Sequence, residues 1–428
     1  MRTRPPDRAE APHAEGGQSG CWYTLSSVST RQPIHTVYGG AHLFKADTAR
    51  KLGTTALRTL DEHVPDAGAL AGILGLQPAF AERVYARVRE KLEREPVEDF
   101  RLDFEDGYGS RPDAEEDGHA ESAALEVAAG ARAGTLPPFI GIRIKNLGDE
   151  LRERALRTTD LFLIRLLKET GGRLPPAFVV TLPKITDRSQ VGRLVDRLGR
   201  IEMMHGVPHG SLKMELMIET PYSIFDEQGA VSLPALVAEG RGRIVGAHFG
   251  TYDYTASLGI TATYQHMRHP ACDFARHVMQ VALAGSDVQI SDGATNVLPV
   301  GKDPAVIRQA WRLHYDDIRH SLTNAFYQGW DLHPAQLVTR YAAVYGFFLE
   351  SVDAASERLR NFIAKAAQAT LVGDVFDDAA TGQGLLNFFL RALNCGAVKD
   401  SEIGALTGLT LDELRSGSFV KIVNGRRG

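Results

Sequence analysis

FVVTLPKITDRSQVGRLVDRLGRIEMMHGVPHGSLKMELMIETPYSIFDEQGAVSLPALVAEGRGRIVGAHFG, residues 178–250, decides the architecture. It holds three short β-like runs, FVVTLP (178–183), MELMIE (214–219) and IVGAHFG (244–250), separated by stretches with helical apolar spacing at 188–205 and 233–240. Strands alternating with helices in this way are the signature of βα units around a parallel sheet. Outward from this stretch the pattern continues with PIHTVY (33–38), FRLDFE (100–105), FIGIRI (139–144), VQISD (288–292) and WDLHP (330–334). That makes eight runs in all, the closing number of a TIM (β/α)8 barrel. Intervening helices are predicted at 48–62, 114–131, 151–170, 271–284 and 304–328, with an eighth at 335–351.

The first connection is long, because ALAGILGLQPAFAERVYARVREKLERE (69–95) adds one or two helices that would cover one end of the barrel or an oligomer contact. Beyond the eighth helix, RLRNFIAKAAQATLV and GLLNFFLRAL give two strong helices, and Thr410 caps a short third at 410–415. Residues 1–20, rich in Pro, Gly, Ala and charge without periodicity, are expected to be disordered. The expected organisation is a disordered segment 1–20, an α/β TIM barrel over 21–351 with a helical insertion near 65–98, and a C-terminal all-helical extension over 352–428.

The 428 residues, 43% hydrophobic, bury a large core and at roughly 150 residues per domain would suggest about three domains. The repeating pattern reduces that to one barrel and a helical tail. Forty-eight basic against fifty-three acidic residues leave no excess of positive charge for coating nucleic acid. Three scattered cysteines, Cys21, Cys272 and Cys395, without a CxxC pair suit a reducing interior. There is no apolar leader and no run near the ~20 residues of a membrane span, so a soluble cytoplasmic protein is expected.

Barrel enzymes place their chemistry at the C-terminal ends of the strands, and here those ends are rich in charge. Asp103, Glu105 and Asp106 close or follow the second run, Arg143 and Lys145 the third, Lys184 the fourth, Glu219 the fifth and Asp253 the sixth. Oxygen ligands beside an arginine suit a hard divalent cation, Mg2+ or Mn2+, and an anionic substrate. His266, His269, Cys272 and His277 cluster in sequence but lack zinc-ligand spacing. GxGxxG after a strand, GxxxxGK[ST], HExxH and GxSxG are absent.

The motifs MIET (217–220), FGTYD (249–253), LDFED (102–106), IRI (142–144), LPK (182–184) and GWDLHPAQ (329–336) together resemble those of the citrate lyase β-subunit group of the HpcH/HpaI aldolase family, in the phosphoenolpyruvate/pyruvate barrel superfamily. The resemblance spans approximately residues 33–400. It implies Glu219 and Asp253 as metal ligands, Arg143 as a clamp on the substrate's carboxylate or carbonyl, and Glu105, Gly250 and Thr251 as further substrate contacts. Proton transfer would fall to Asp106 or to Asp377 in GDVFDDAATGQGLL, with Asp378 the nearest competitor. If Asp377 acts on a neighbouring subunit's site, the protein is a homo-oligomer, a trimer or hexamer. One departure is Lys145, where the family has Asn two positions after the arginine.

Each residue also has a structural alternative. Glu219 could be a strand-end salt bridge, Asp253 a helix cap, Arg143 an inter-strand ion pair with Glu105 or Asp106, and Asp377 a capping residue. Lys184 is read as a rim ion pair, Asp103 and His333 as structural, and Asp292 as either a rim contact or a cap. The resemblance implies a Mg2+-dependent carbon–carbon lyase or condensing enzyme acting on a 2-oxo or 2-hydroxy acid or its CoA thioester. The alternatives are phosphoryl-transfer or phosphorus–carbon chemistry of the phosphoenolpyruvate type, and a non-catalytic metabolite-binding barrel.

Overall fold

In a parallel barrel both faces of each strand are covered, so a strand is a run of mostly buried residues, apolar or, where charged, paired. Eight such runs pair in parallel in the order β7-β6-β5-β4-β3-β2-β1-β8 in the computed structural model, which describes residues 31–372 and 379–426. The segment 1–20 and both Asp377 and Asp378 lie outside the described residues. The strands are β1 (His35–Gly40), β2 (Asp99–Asp103), β3 (Phe139–Arg143), β4 (Phe178–Leu182), β5 (Lys213–Ile218), β6 (Ile244–Phe249), β7 (Gln289–Ser291) and β8 (Gly329–Asp331). Between β7 and β8 the Asp292 amide donates to the Gln328 carbonyl at 2.9 Å and the Trp330 amide to the Gly293 carbonyl at 3.1 Å, which draws the ring together. The fold is an α/β TIM-like barrel followed by C-terminal helices.

The helices between strands are α1 (Thr48–His63), α2 (Ala67–Leu74), α3 (Pro78–Arg94), α4 (Asp113–Ala133), α5 (Arg152–Thr170), α6 (Arg188–His205), α7 (Pro221–Ile224), α8 (Leu233–Glu239), α9 (Thr251–Ser257), α10 (Pro270–Leu283) and α11 (Pro304–Thr323). After β8 come α12 (Gln336–Leu349), α13 (Val352–Val372), α14 (Ala379–Asn394), α15 (Ile403–Thr407), α16 (Leu411–Arg415) and α17 (Phe419–Gly425). Local chemistry sets their ends. Asp66 accepts from the Ala69 amide to start α2, and Gly75 in the left-handed region stops it. Thr410 and Glu413 form a reciprocal capping box at α16. The predicted helix 304–328 ends early, because Ala325 takes a φ of 61° and turns the chain into β8.

The insertion packs outside the barrel. α3 lies on α12, whose residues are almost all buried, and Tyr341 donates to the Pro96 carbonyl at 3.0 Å. Arg87 of α3 pairs with Glu402 at 2.8 Å and donates to the Gly396 carbonyl at 3.2 Å, so the insertion supports the C-terminal helices. One continuous hydrophobic core runs from the barrel wall into α14 and α17.

Inside the barrel, inward side chains are stacked in levels along each strand. β2 shows the order: Asp99, Arg101 and Asp103 are all buried, two residues apart. At the lower level Arg101 forks onto Glu215 of β5 at 2.6 and 2.7 Å and reaches Asp99 at 2.5 Å. Buried charge of this kind is tolerated only when fully paired. Above it Tyr38, Met217, Ala294 and Trp330 form a small apolar cluster of their own. Asp103 opens the C-terminal rim. No described helix is long and apolar enough to cross a membrane.

Candidate active site

Arg143 ends β3 and Asp103 ends β2, and the parallel register sets them side by side. Arg143 donates from Nε to Asp103 Oδ1 at 2.8 Å and from Nη2 to Asp103 Oδ2 at 2.5 Å, a planar fork that fixes the guanidinium. Its Nη1 stands 3.4 Å from Glu105 and 3.5 Å from Asp106. Beneath it lie the Tyr38 ring, 4.9 Å away, and the Trp330 ring, 5.8 Å away, themselves stacked at 4.3 Å. The aromatic faces and the Asp103 carboxylate therefore hold three sides of the arginine.

Glu105 and Asp106 follow β2 and meet Lys184, which follows β4. The Lys184 ammonium contacts Glu105 closely, Asp106 at 2.7 Å and Asp253 at 3.8 Å. Lys184 has a φ of 49°, a region that non-glycine residues rarely adopt, and its amide donates to Glu219 Oε1 at 2.8 Å. Such backbone conformations gather at functional sites. The Lys184 ion pair with the acidic residues is present, and the same residue also positions Glu219 through its backbone.

Glu219 is 1% exposed and burial pushes its carboxyl up to about 8, with Asp253 and Glu105 adding repulsion and Arg143 opposing it. Burial also raises Asp253, against the pull of Lys184. The neighbouring pair diverges. Glu105 is pushed up to about 7, mainly by burial, whereas Asp106 is held low by its hydrogen bond with Glu105 and by Arg143 and Lys184, which outweigh burial. Gly250, between β6 and α9, lets the backbone approach: a Cβ there would stand 2.4 Å from Glu219 Oε2.

Two carboxyls that burial makes reluctant to ionise, with Asp253 adding repulsion at Glu219 and Asp106 at Asp253, fit a divalent cation, whose charge would relieve that cost. Among the described residues no three His, Cys, Asp or Glu side chains converge closely enough to hold a metal by themselves. A two-carboxylate site completed by water and substrate oxygens is the arrangement Mg2+ prefers.

Other singled-out residues have partners of their own. Thr251 is buried with its hydroxyl 3.0 Å from the Met267 sulfur. Lys145 is tied to Glu116 at 2.9 Å and to the Phe104 carbonyl at 2.6 Å, so its ammonium braces the second strand's loop. Asp292 pairs with Arg276 at 2.8 Å and accepts from Ser321, fully buried. His333 Nδ1 accepts from the Ala335 amide. His269 likewise accepts from Ala271, and Cys272, buried and free, has its thiol pushed up by burial to about 12. Sequence reasoning missed the Tyr38–Trp330 floor. The available signal was that both are inward residues of their runs near the rim.

Carboxylates and an arginine clamped by Asp103 therefore crowd the C-terminal rim of a nearly closed parallel barrel. The chain belongs to the family described as a domain of unknown function, DUF6986, which it matches over residues 26–422. No curated protein matches it. Among solved structures it is similar to a citrate lyase from Burkholderia xenovorans LB400, at 17% identity and a TM-score of 0.55, covering 86% of this chain and 96% of that one. A magnesium/glyoxylate complex of Haloferax volcanii malate synthase aligns at 14% identity and a TM-score of 0.47, covering 90% and 97% of the two chains. A citrate lyase β subunit from M. tuberculosis, complexed with oxaloacetate and magnesium, aligns at 15% identity and 0.39, covering 74% and 99%. At these identities the likeness is one of fold.

Proposed function

We propose that the protein is a Mg2+-dependent carbon–carbon lyase, or the reverse aldol or Claisen-type condensing enzyme, acting on a 2-oxo or 2-hydroxy acid. The observation that carries this reading is the rim itself: buried Glu219 and half-buried Asp253 on one side and Arg143, held by Asp103, on the other. Glu219 and Asp253 would hold the cation. Bound Mg2+ would polarise the 2-oxo group and stabilise charge developing on its oxygen, a contribution of several kcal/mol in metal sites.

Arg143 binds the substrate carboxylate or the enolate oxygen through Nη1, the nitrogen that Asp103 leaves available. Tyr38 and Trp330 close the floor and keep water from the guanidinium's underside. Lys184 keeps Glu105 and Asp106 in place and presents its amide to Glu219. The proton moves through Asp106, or through Asp377 supplied by a neighbouring subunit of a homo-oligomer. The reading takes in the acid's CoA thioester as well, as in the group whose motifs the chain resembles.

The test is carbon-13 NMR of candidate 2-hydroxy acids and their thioesters with wild-type protein, Glu219→Gln and Asp253→Asn. Mg2+-dependent cleavage should be lost by about a hundredfold or more in both variants. Turnover at the wild-type rate in both would overturn the assignment. Phosphorus NMR with phosphoenolpyruvate separates the competing phosphoryl-transfer chemistry, which alone would change the phosphate signal.

A further inference from the structure

The buried arginines of the described residues are carboxylate-paired: Arg87 with Glu402, Arg101 with Glu215, Arg143 with Asp103, Arg243 with Glu202, Arg276 with Asp292 and Arg340 with Asp331. Arg391 of α14 departs from this rule. It is half-buried, its guanidinium lies 4.0 Å over the Tyr327 ring, and Nη1 makes one long hydrogen bond, 3.4 Å, to the Gln32 side-chain carbonyl. No carboxylate of the described residues pairs with it, and burial lowers its proton affinity with only Tyr327 and Cys395 opposing.

Arg391 lines a cavity of about 220 Å3 together with Gln32, Gln280, Ser286 and Gln289. Its walls come from the residues before β1, the end of α10, the start of β7 and the entry to β8, all at the N-terminal face of the barrel, opposite the rim that carries Arg143. Among the described residues no acidic side chain lines the cavity. Gln32 is held in place by donating to the Ile290 carbonyl and the Gln328 side chain, both at 3.1 Å, which turns its acceptor oxygen to Arg391. A guanidinium so fixed keeps further donors for a planar oxyanion, and a half-buried cation without a carboxylate partner among the described residues gains by meeting one.

We propose that this cavity binds a small oxyanion, a carboxylate or phosphate group whose oxygens fork onto Arg391, at a site separate from the C-terminal rim. The competing structural role is electrostatic: α10 and α11 end beside the cavity, and the partial negative charge of their C-termini alone could favour a cation there.

Calorimetric titration of inorganic phosphate and, separately, of succinate into the full-length metal-free protein distinguishes the two. At least one of the oxyanions should bind wild-type protein and raise its melting temperature, and which one binds identifies the group recognised. Arg391→Gln should weaken that binding about tenfold or more, and Arg391→Lys, which keeps the charge but loses the fork, should also weaken it if Gln fails to fold. Absence of binding to wild type at millimolar concentration, or equal binding by the variants because the ion sits on the rim, would overturn the proposal. So would a loss of melting temperature in Arg391→Gln that phosphate and succinate leave unchanged.

Discussion

Arg143 gains its geometry from Asp103, which takes two of its nitrogens and leaves the third toward Glu105 and Asp106. Lysine offers a point charge and no fork, so Arg143→Lys should lower kcat/KM by about a hundredfold while near-ultraviolet circular dichroism stays native. Unchanged kcat/KM would mean that the guanidinium is only an inter-strand tie. Asp103→Asn is a subtler probe, because Arg143 can then swing toward Glu105 and Asp106. KM for an anionic substrate should rise more than kcat falls, as steady-state kinetics would show. At this scale the gathering of Glu219, Asp253 and Arg143 on one rim was legible from their strand-end positions, whereas their roles as ligands and clamp come from the motif resemblance. Lys145 was not: its partners, Glu116 and the Phe104 carbonyl, come from a helix and loop whose approach no local pattern encodes.

Among the elements, the turn from β6 into α9 is the most constrained around the site. Gly250 leaves only enough room for the Glu219 carboxylate, with a would-be Cβ 2.4 Å from Oε2 and 2.5 Å from the Glu219 Cβ. Gly250→Ala should therefore displace Glu219, destabilise the protein by about 1–3 kcal/mol and weaken Mg2+ binding measured by calorimetry. Wild-type metal affinity in that variant would show that Glu219 is not a ligand. The strands themselves were readable as short β-like runs set between helical stretches, although β2 carries three buried charged residues, Asp99, Arg101 and Asp103. The end of α11 was not, since Ala325 takes a left-handed conformation without the glycine or asparagine that usually marks one.

For the whole molecule, the βαβ rhythm carried the barrel, whereas the joining of the insertion to the C-terminal helices depends on contacts such as Arg87–Glu402, remote in sequence. The wall between β8, α11 and α12 also buries a titratable cluster. His314, 1% exposed, is bonded to Thr339 at 2.6 Å and lies 3.1 Å from Asp331, with Arg340 and Asp317 nearby. Burial, with Arg340, lowers its pKa despite Asp331 and Asp317. On acidification the unfolded chain takes up a proton at the ordinary histidine value near 6.5 before the folded protein does, so this contribution is present above that pH and lost below it. Thermal melts of wild type should fall more steeply between about pH 7.5 and 5 than those of His314→Gln. Parallel curves would remove His314 from the account.

The central claim is that Glu219, Asp253 and Arg143 form a platform for stabilising an enolate. Proton NMR of pyruvate in deuterium oxide tests it without knowledge of the physiological substrate, because reversible enolisation exchanges the methyl protons for deuterium. The account predicts Mg2+-dependent loss of the methyl signal with wild-type protein and none above background with Glu219→Gln or Asp253→Asn. Exchange that persists in both variants, or its absence from the wild type with Mg2+ present, would contradict it.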